Sequence, residues 1–258
     1  MLISPPLKKL PALLLAAAAL VTGAAGTRAL AAEGTPSDAD WQSWTASANV
    51  TDIASLQRGA RDFVGYCLGC HSLKYERWSR LGQDLNIPQQ LLVKDLIPPG
   101  ETPADYITSP MIESDAEKWF GKAPPDLSLM ARARSTDYLY QYLKTFYVDT
   151  SRATGANNMA LPQSAMPDVI APLEGLKIAV YKNQGNEQVF DHFKQIAPGS
   201  MTPQQYDQFA RDLVNFLDYV GDPDQAMSHA MGVWVVLFLL AFTWFAWLLK
   251  REFWKDVK

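Results

Sequence analysis

Residues 67–71 read Cys67-Leu68-Gly69-Cys70-His71, the C-x-x-C-H spacing by which a c-type haem is attached. Upstream, Leu56, Ala60, Phe63, Val64 and Cys67 recur at helical spacing, which predicts a helix over Ser55–Cys70 leading into the motif. If that helix continues, Cys67, Cys70 and His71 stand at i, i+3 and i+4 on one face. Two thiols then reach the haem vinyl groups while the imidazole reaches the iron. No other cysteine occurs in the 258 residues. A thioredoxin-like redox pair would need a βαβ setting, and no alternating strand pattern flanks the motif. A structural zinc site would need four ligands, and the other histidines, His192 and His229, lack finger-like spacing. A disulfide across so short a loop would remove little chain entropy.

Both ends of the chain speak of a membrane. Lys8 and Lys9 precede the apolar run Leu10–Val21 and the small-residue stretch ending in Ala29-Leu30-Ala31. This predicts a secretory signal peptide over 1–31, with the mature chain beginning near Ala32 or Glu33. Gly232–Leu249 contains no charge, and a span over 229–250 is long enough to cross a hydrocarbon layer of ~30 Å. Lys250, Arg251, Lys255 and Lys258 follow against Glu252 and Asp256, so the tail 251–258 is expected in the cytoplasm. Trp234, Trp244, Trp247 and Trp254 suit interfacial or helix-packing positions. The expected topology is single-pass in a bacterial inner membrane, with the large domain, 32–228, in the periplasm.

That domain is acidic. Between Ala32 and Ser228, Asp and Glu outnumber Lys and Arg by 25 to 16. Glu101, Asp105, Glu113, Asp115 and Glu117 are crowded together, and such a surface can steer a basic partner. For any single carboxylate, solubility is the simpler account. With a net charge of -4 over the whole chain, no nucleic-acid partner is expected.

The fold class read from the pattern is mainly α, a c-type cytochrome domain with long haem-covering loops and one C-terminal transmembrane helix. Ser135 or Thr136 caps a helix through Tyr138, Leu139, Tyr142, Leu143 and Phe146. Thr202-Pro203-Gln204-Gln205 is a capping-box pattern. The stripe Tyr206, Phe209, Leu213, Phe216, Leu217 and Val220 follows, and Gly221-Asp222-Pro223 ends it. Leu176–Tyr181 is the best strand candidate. Asn86–Pro110 and Asp149–Pro172 read as long loops, and loops of that length are usually functional.

His71 supplies one axial ligand and leaves the other side of the iron open. Met166 stands between Pro162 and Pro167, which stiffen the loop, and a thioether ligand raises the potential. Met111, Met130, Met159 and Met201 compete as thioethers. His192 would give a lower-potential bis-His centre, and His229 sits at the membrane edge.

Several stretches in fixed order resemble the cytochrome c1 family, the haem subunits of quinol–cytochrome c reductase, in its bacterial form. They are Arg58-Gly59-Ala60, the motif through Ser72, Ala123-Pro124-Pro125-Asp126-Leu127-Ser128, Arg132-Ala133-Arg134, Asp137-Tyr138, Ala165-Met166-Pro167 and the anchor with its basic tail. The resemblance implies one covalent haem c with His71 and Met166 as axial ligands. It also implies Pro125 against the haem, Arg134 paired with a propionate and Tyr138 nearby. Arg132 reads instead as a solvated helix face. Glu113 to Phe120 follows the bacterial version, and Asn157-Asn158-Met159-Ala160-Leu161 lacks the aromatics expected before the ligand methionine.

The function implied is an electron relay with no bond-making chemistry of its own. One electron arrives from a Rieske iron–sulfur protein and leaves to a soluble or tethered cytochrome c. Cytochrome b and membrane lipid are the other neighbours, in a dimeric complex. Two alternatives remain at this point: a free-standing anchored cytochrome serving a terminal oxidase or reductase, and a haem enzyme or gas sensor with an open iron site.

Overall fold

A computed structural model describes residues 37–256; the leader expected over 1–31 and the last residues of the basic tail lie outside the described residues. After a short 3-10 turn at Asp38–Ser43 come helix α1 (Ile53–Tyr66), strand β1 (Leu73–Arg77) and helix α2 (Trp78–Asp84). Strand β2 (Tyr106–Ile107) and helices α3 (Glu113–Phe120), α4 (Met130–Arg134) and α5 (Thr136–Lys144) follow. Then come strands β3 (Phe146–Val148), β4 (Ala156–Asn158), β5 (Gly175–Gln184) and β6 (Glu187–Pro198). Helices α6 (Pro203–Gly221) and α7 (Gln225–Phe253) end the described chain.

The core is a crossing of α1 and α6, and a missing side chain sets its closeness. A Cβ on Gly59 would lie 2.1 Å from the Asp212 carbonyl oxygen and 2.6 Å from Phe216 Cβ. No other residue lets these backbones meet. Phe63 packs on Phe216 with ring centroids 5.7 Å apart, among fully buried Leu56, Trp78, Leu81 and Leu213. Asp212 is buried here and would be costly unpaired. Arg58 reaches it through Nε at 2.6 Å and Nη2 at 2.9 Å, and Ser55 Oγ donates to it at 2.7 Å. The helix that delivers the haem motif is thus fixed by packing and by a satisfied buried charge.

Local signals in the sequence account for the helix starts. Thr202 Oγ1 accepts from Gln205 N at 3.3 Å while Gln205 Oε1 accepts from Thr202 N at 2.9 Å, closing the expected capping box of α6. Ser135 Oγ accepts from Tyr138 N at 3.2 Å and caps α5. Helix α7 contains an apolar stretch, Met231–Phe253, of 23 residues with mean hydropathy 2.2, its only charges being Lys250, Arg251 and Glu252 at the end. That stretch is long and apolar enough to cross a membrane.

The mainly α expectation is met in part, because three two-stranded antiparallel sheets accompany the helices. The expected strand Leu176–Tyr181 is one piece of a long hairpin in which β5 pairs with β6 from Gly175↔Pro198 to Gln184↔Glu187. Gly185, at φ +64°, makes the tight turn that only glycine adopts without strain. The loop expected over Asn86–Pro110 contains short helical turns from Gln89 to Leu96 and strand β2. The one over Asp149–Pro172 contains β4.

Candidate haem site

Helix α1 stops at Tyr66 rather than running to Cys70. Cys67 N and Leu68 N both donate to Phe63 O, at 2.8 and 2.9 Å. The chain then makes one further turn, with Cys70 N and His71 N both donating to Cys67 O at 2.9 and 2.8 Å. Leu68, buried in the core, draws the backbone inward, and Gly69 favours leaving the helix. The bond from His71 to Cys67 still spans four residues, so the motif occupies a single turn as the spacing requires.

The thiols of Cys67 and Cys70 are free and half-buried. Burial pushes the Cys67 thiol up to about 12, with Cys70 and Asp62 adding to the effect, and burial raises Cys70 as well. A redox dithiol or a thiolate metal site needs the opposite shift. Neutral thiols in apolar surroundings suit conversion to uncharged thioethers, in which each S–H adds across a vinyl group.

His71 supplies the decisive geometry. Its Nδ1 lies 2.7 Å from the Pro125 carbonyl oxygen. A carbonyl can only accept, so Nδ1 carries the proton and Nε2 presents its lone pair outward, as an iron ligand must. Burial lowers the imidazole pKa against the opposing pull of Pro125 and Asp126, which keeps the ring neutral and ligating. The Pro125 loop is stitched to the chain after the motif. Leu127 N donates to Ser72 O at 2.9 Å, Lys74 N to Asp126 Oδ2 at 2.9 Å and Tyr75 N to Ser128 Oγ at 3.2 Å. Ser109 adds a second stitch, through its N to Ser72 Oγ at 2.8 Å and its Oγ to Gly69 O at 3.0 Å.

Pro125 was expected as a packing surface, and its carbonyl also orients His71. A backbone oxygen leaves no residue-type signal, so sequence reasoning missed this role. The donor set fits haem c: two free thiols on one turn and a neutral imidazole with its outer nitrogen free.

Beyond the Pro125 loop the chain passes directly into α4 and α5, which bear Arg134 and Tyr138. Arg134 is exposed and has no ion-pair partner among the described residues; its guanidinium lies 5.6 Å from the Tyr138 ring centroid. Arg132, two residues earlier, is instead tied to Asp222 at 2.6 Å. Of these two arginines, Arg134 is the one left without a carboxylate partner among the described residues. Tyr138 stacks on Tyr142 with centroids 6.3 Å apart. Tyr142 in turn bonds buried Ser164 through its hydroxyl at 2.8 Å, and Ser164 Oγ accepts from Met166 N at 3.3 Å. Arg134, Tyr138 and half-buried Met166 thus lie along one chain of contacts.

The competing ligands have other neighbours. Met130 and Met201 pack against the core, Met159 Sδ is 4.0 Å from the Tyr181 hydroxyl, and Met111 N donates to Ser109 Oγ. His192 is exposed on β6 and its Nδ1 is 2.9 Å from Asp191 Oδ2; the His229 side chain lies outside what is described. Of the crowded carboxylates, Glu101 accepts from Trp78 Nε1 at 2.7 Å, Asp105 from Thr102 at 2.7 Å and Asp115 from Lys118 at 2.9 Å. Glu113 and Glu117 remain exposed on α3.

Residues 98–257 match the family model described as Cytochrome C1 family. The chain belongs to the cytochrome c1 family. It is similar to cytochrome c1 of Allochromatium vinosum, 44% identical over 216 residues that cover 83% of this chain and 88% of that protein. Cytochrome c1 of Rhodospirillum rubrum is 31% identical over 247 residues, covering 85% and 87%. The ammonia monooxygenase gamma subunit of Nitrosomonas europaea is 41% identical over 206 residues, covering 80% and 85%. In keeping with its family, the chain carries one covalently attached haem c. The matched span begins after the C-x-x-C-H turn, so the motif and the family match point to haem separately.

Proposed function

We propose that Cys67 and Cys70 hold the haem through thioethers and that His71 and Met166 ligate its iron. Arg134 pairs with a propionate and Tyr138 stands beside it. The observation that carries this reading is the Nδ1 bond of His71 to Pro125, which leaves Nε2 directed to a metal. Met166 is favoured by its half-buried place beside Ser164, on the contact chain that starts at Arg134, while Met130 and Met201 pack against the core and Met159 lies by Tyr181 of the hairpin.

As a cytochrome c1, the chain is the haem c subunit of a quinol–cytochrome c reductase; it accepts electrons from the Rieske protein and passes them to cytochrome c. The bound haem supplies one-electron chemistry. The residues of the chain hold it, keep the His71 ring in one tautomer and neutralise a propionate that would otherwise be costly to bury. No proton or group is transferred, so no side chain acts as an acid or base.

The membrane anchor is the apolar helix α7. Our reading of its orientation is a periplasmic head and a cytoplasmic tail, supported by Lys250, Arg251 and Lys255 after the span. The acceptor is a soluble or tethered cytochrome c drawn to an acidic head, and the whole works beside cytochrome b in a dimeric complex.

Purification of the tagged chain from its own membranes in mild detergent tests this function. A reduced-minus-oxidised spectrum with b-type haem in about twofold excess over c-type is expected of a complex containing cytochrome b. A c-type band alone, under conditions that keep a control reductase intact, would favour a free-standing carrier. Co-purification with an ammonia monooxygenase would favour the association implied by the name of the Nitrosomonas relative.

A further inference from the structure

The loop that presents Met166 is anchored at both ends to one residue of α5. The backbone carbonyl of Tyr142 accepts from Asn158 Nδ2 at 2.7 Å, and its hydroxyl bonds Ser164 Oγ at 2.8 Å. Asn158 and Ser164 are 1% and 3% exposed, so both bonds are shielded from water. Between them the chain is gathered onto the same anchor. Asn158 Oδ1 accepts from Ala160 N at 2.9 Å and Leu161 N at 3.1 Å, and Thr145 Oγ1 donates to it at 3.2 Å. Ser164 Oγ then accepts the Met166 N–H at 3.3 Å. One hydroxyl oxygen has two acceptor lone pairs and so can serve Tyr142 and Met166 together.

Tyr142 itself cannot swing away. Its ring stacks on Tyr138 at an interplanar angle of 20° and meets Phe146 edge-on with centroids 5.0 Å apart. Burial raises its phenol pKa, so the hydroxyl keeps its proton at neutral pH and remains a donor.

We propose that Tyr142 is a positioning residue for the distal iron ligand: by clamping both ends of the 158–164 segment to α5, it fixes where Met166 places its sulfur. The proposal rests on the reading of Met166 as that ligand. A thioether is a weak ligand on a flexible side chain, and a loop without helical support loses much freedom on being held in place. A clamp that has already ordered the loop lowers that cost and keeps the methionine on the iron.

The test uses the full chain in its own membranes and compares Tyr142→Phe, Ser164→Ala, Ser164→Thr and Met166→Leu. Three properties are read: the reduction potential, the weak far-red band of methionine-ligated ferric haem, and carbon monoxide binding by the reduced haem. Tyr142→Phe keeps the ring and the backbone carbonyl and removes only the hydroxyl. It is expected to retain covalent haem, weaken the far-red band, lower the potential and raise the carbon monoxide-binding fraction roughly fivefold, the factor an ordinary net hydrogen bond supplies. Ser164→Ala removes that bond and the acceptor of the Met166 N–H as well, so it should shift all three properties at least as far. Adding Tyr142→Phe to it should change little because their shared bond is already gone, and Ser164→Thr should keep the native values.

Native potential, band and carbon monoxide behaviour in Tyr142→Phe and Ser164→Ala, where Met166→Leu abolishes the band, would overturn the clamp and spare the ligand. A drop in thermal stability alone, with those three properties unchanged, would overturn it equally. If Met166→Leu itself keeps band and potential, the ligand reading fails and takes the clamp with it. Should Tyr142→Phe fail to accumulate, Ser164→Ala decides.

Discussion

The two axial ligands proposed for the iron are held in different ways. His71 follows a helix locked into the core through the Gly59 contact with α6, and its ring is oriented by a backbone carbonyl stitched in from both sides. Met166 sits in a loop whose order comes from a few side-chain hydrogen bonds to Tyr142 and Asn158. The first arrangement is part of the fold, so damage to it costs stability and haem retention. The second is an attachment to the fold, so damage to it changes redox properties while the head stays folded. A relay benefits from this separation, because its potential can be tuned without risking the cofactor.

The largest effect expected on the His71 side comes from Gly59→Ala. The nearest obstacle is a backbone carbonyl that cannot rotate aside, so the cost should reach about 3 kcal/mol or more, the upper end for overpacked cores. Denaturant unfolding and the yield of covalent haem check it, and a normal yield with native stability would break the comparison.

Next is Glu76, on the strand that leaves the motif and 3% exposed. Burial pushes its carboxyl up to about 7 from 4.5, with Asp84 adding to the effect and Arg80 opposing it. A carboxyl with a raised folded pKa is most favourable while protonated, so the head should lose stability as pH climbs from about 4.5 through about 7. Glu76→Gln removes that loss. Relative to the parent it should gain about 3 kcal/mol at pH 8 and little at pH 4, as read by unfolding at the two pH values. An equal gain at both would contradict the assignment.

Ser128→Ala removes the acceptor for Tyr75 N–H and should cost about 1–2 kcal/mol, leaving potential unchanged if haem is retained. The smallest effect is expected from Ser135→Ala, which uncaps α5 beneath the distal loop. About 1 kcal/mol should lower the melting temperature by about 2–4 °C, as differential scanning calorimetry of the holoprotein would measure.

Much of this arrangement was legible in the sequence, and the gaps have physical causes. The C-x-x-C-H turn, the capping box at Thr202 and Gln205 and the Ser135 cap are signals in which residue type and role coincide. The apolar run in α7 is another. The end of α1 at Tyr66 was not legible, because Cys67 continues the apolar stripe and the break comes from Leu68 being drawn into the core. The hairpin of β5 and β6 is legible only in its first strand, since β6 carries Glu187, Asp191, Lys194 and Gln195 and shows little alternation, and the Gly185-Asn186 turn signal has no clear strand after it. Pro125 acts through a carbonyl that every residue possesses. Tyr142 lies on the apolar stripe of its helix, and spacing alone marks it as core; only its partners, Asn158 and Ser164, reveal the hydroxyl's use.

The most direct measurement is a potentiometric titration of the Met166→Leu variant in its own membranes, followed through the c-type absorption band. With Met166 as the distal ligand, the haem should stay covalently bound, with a markedly lower potential and slower electron delivery from quinol to cytochrome c. A variant with the parent's potential and its far-red band intact would contradict that assignment and return the distal position to another residue.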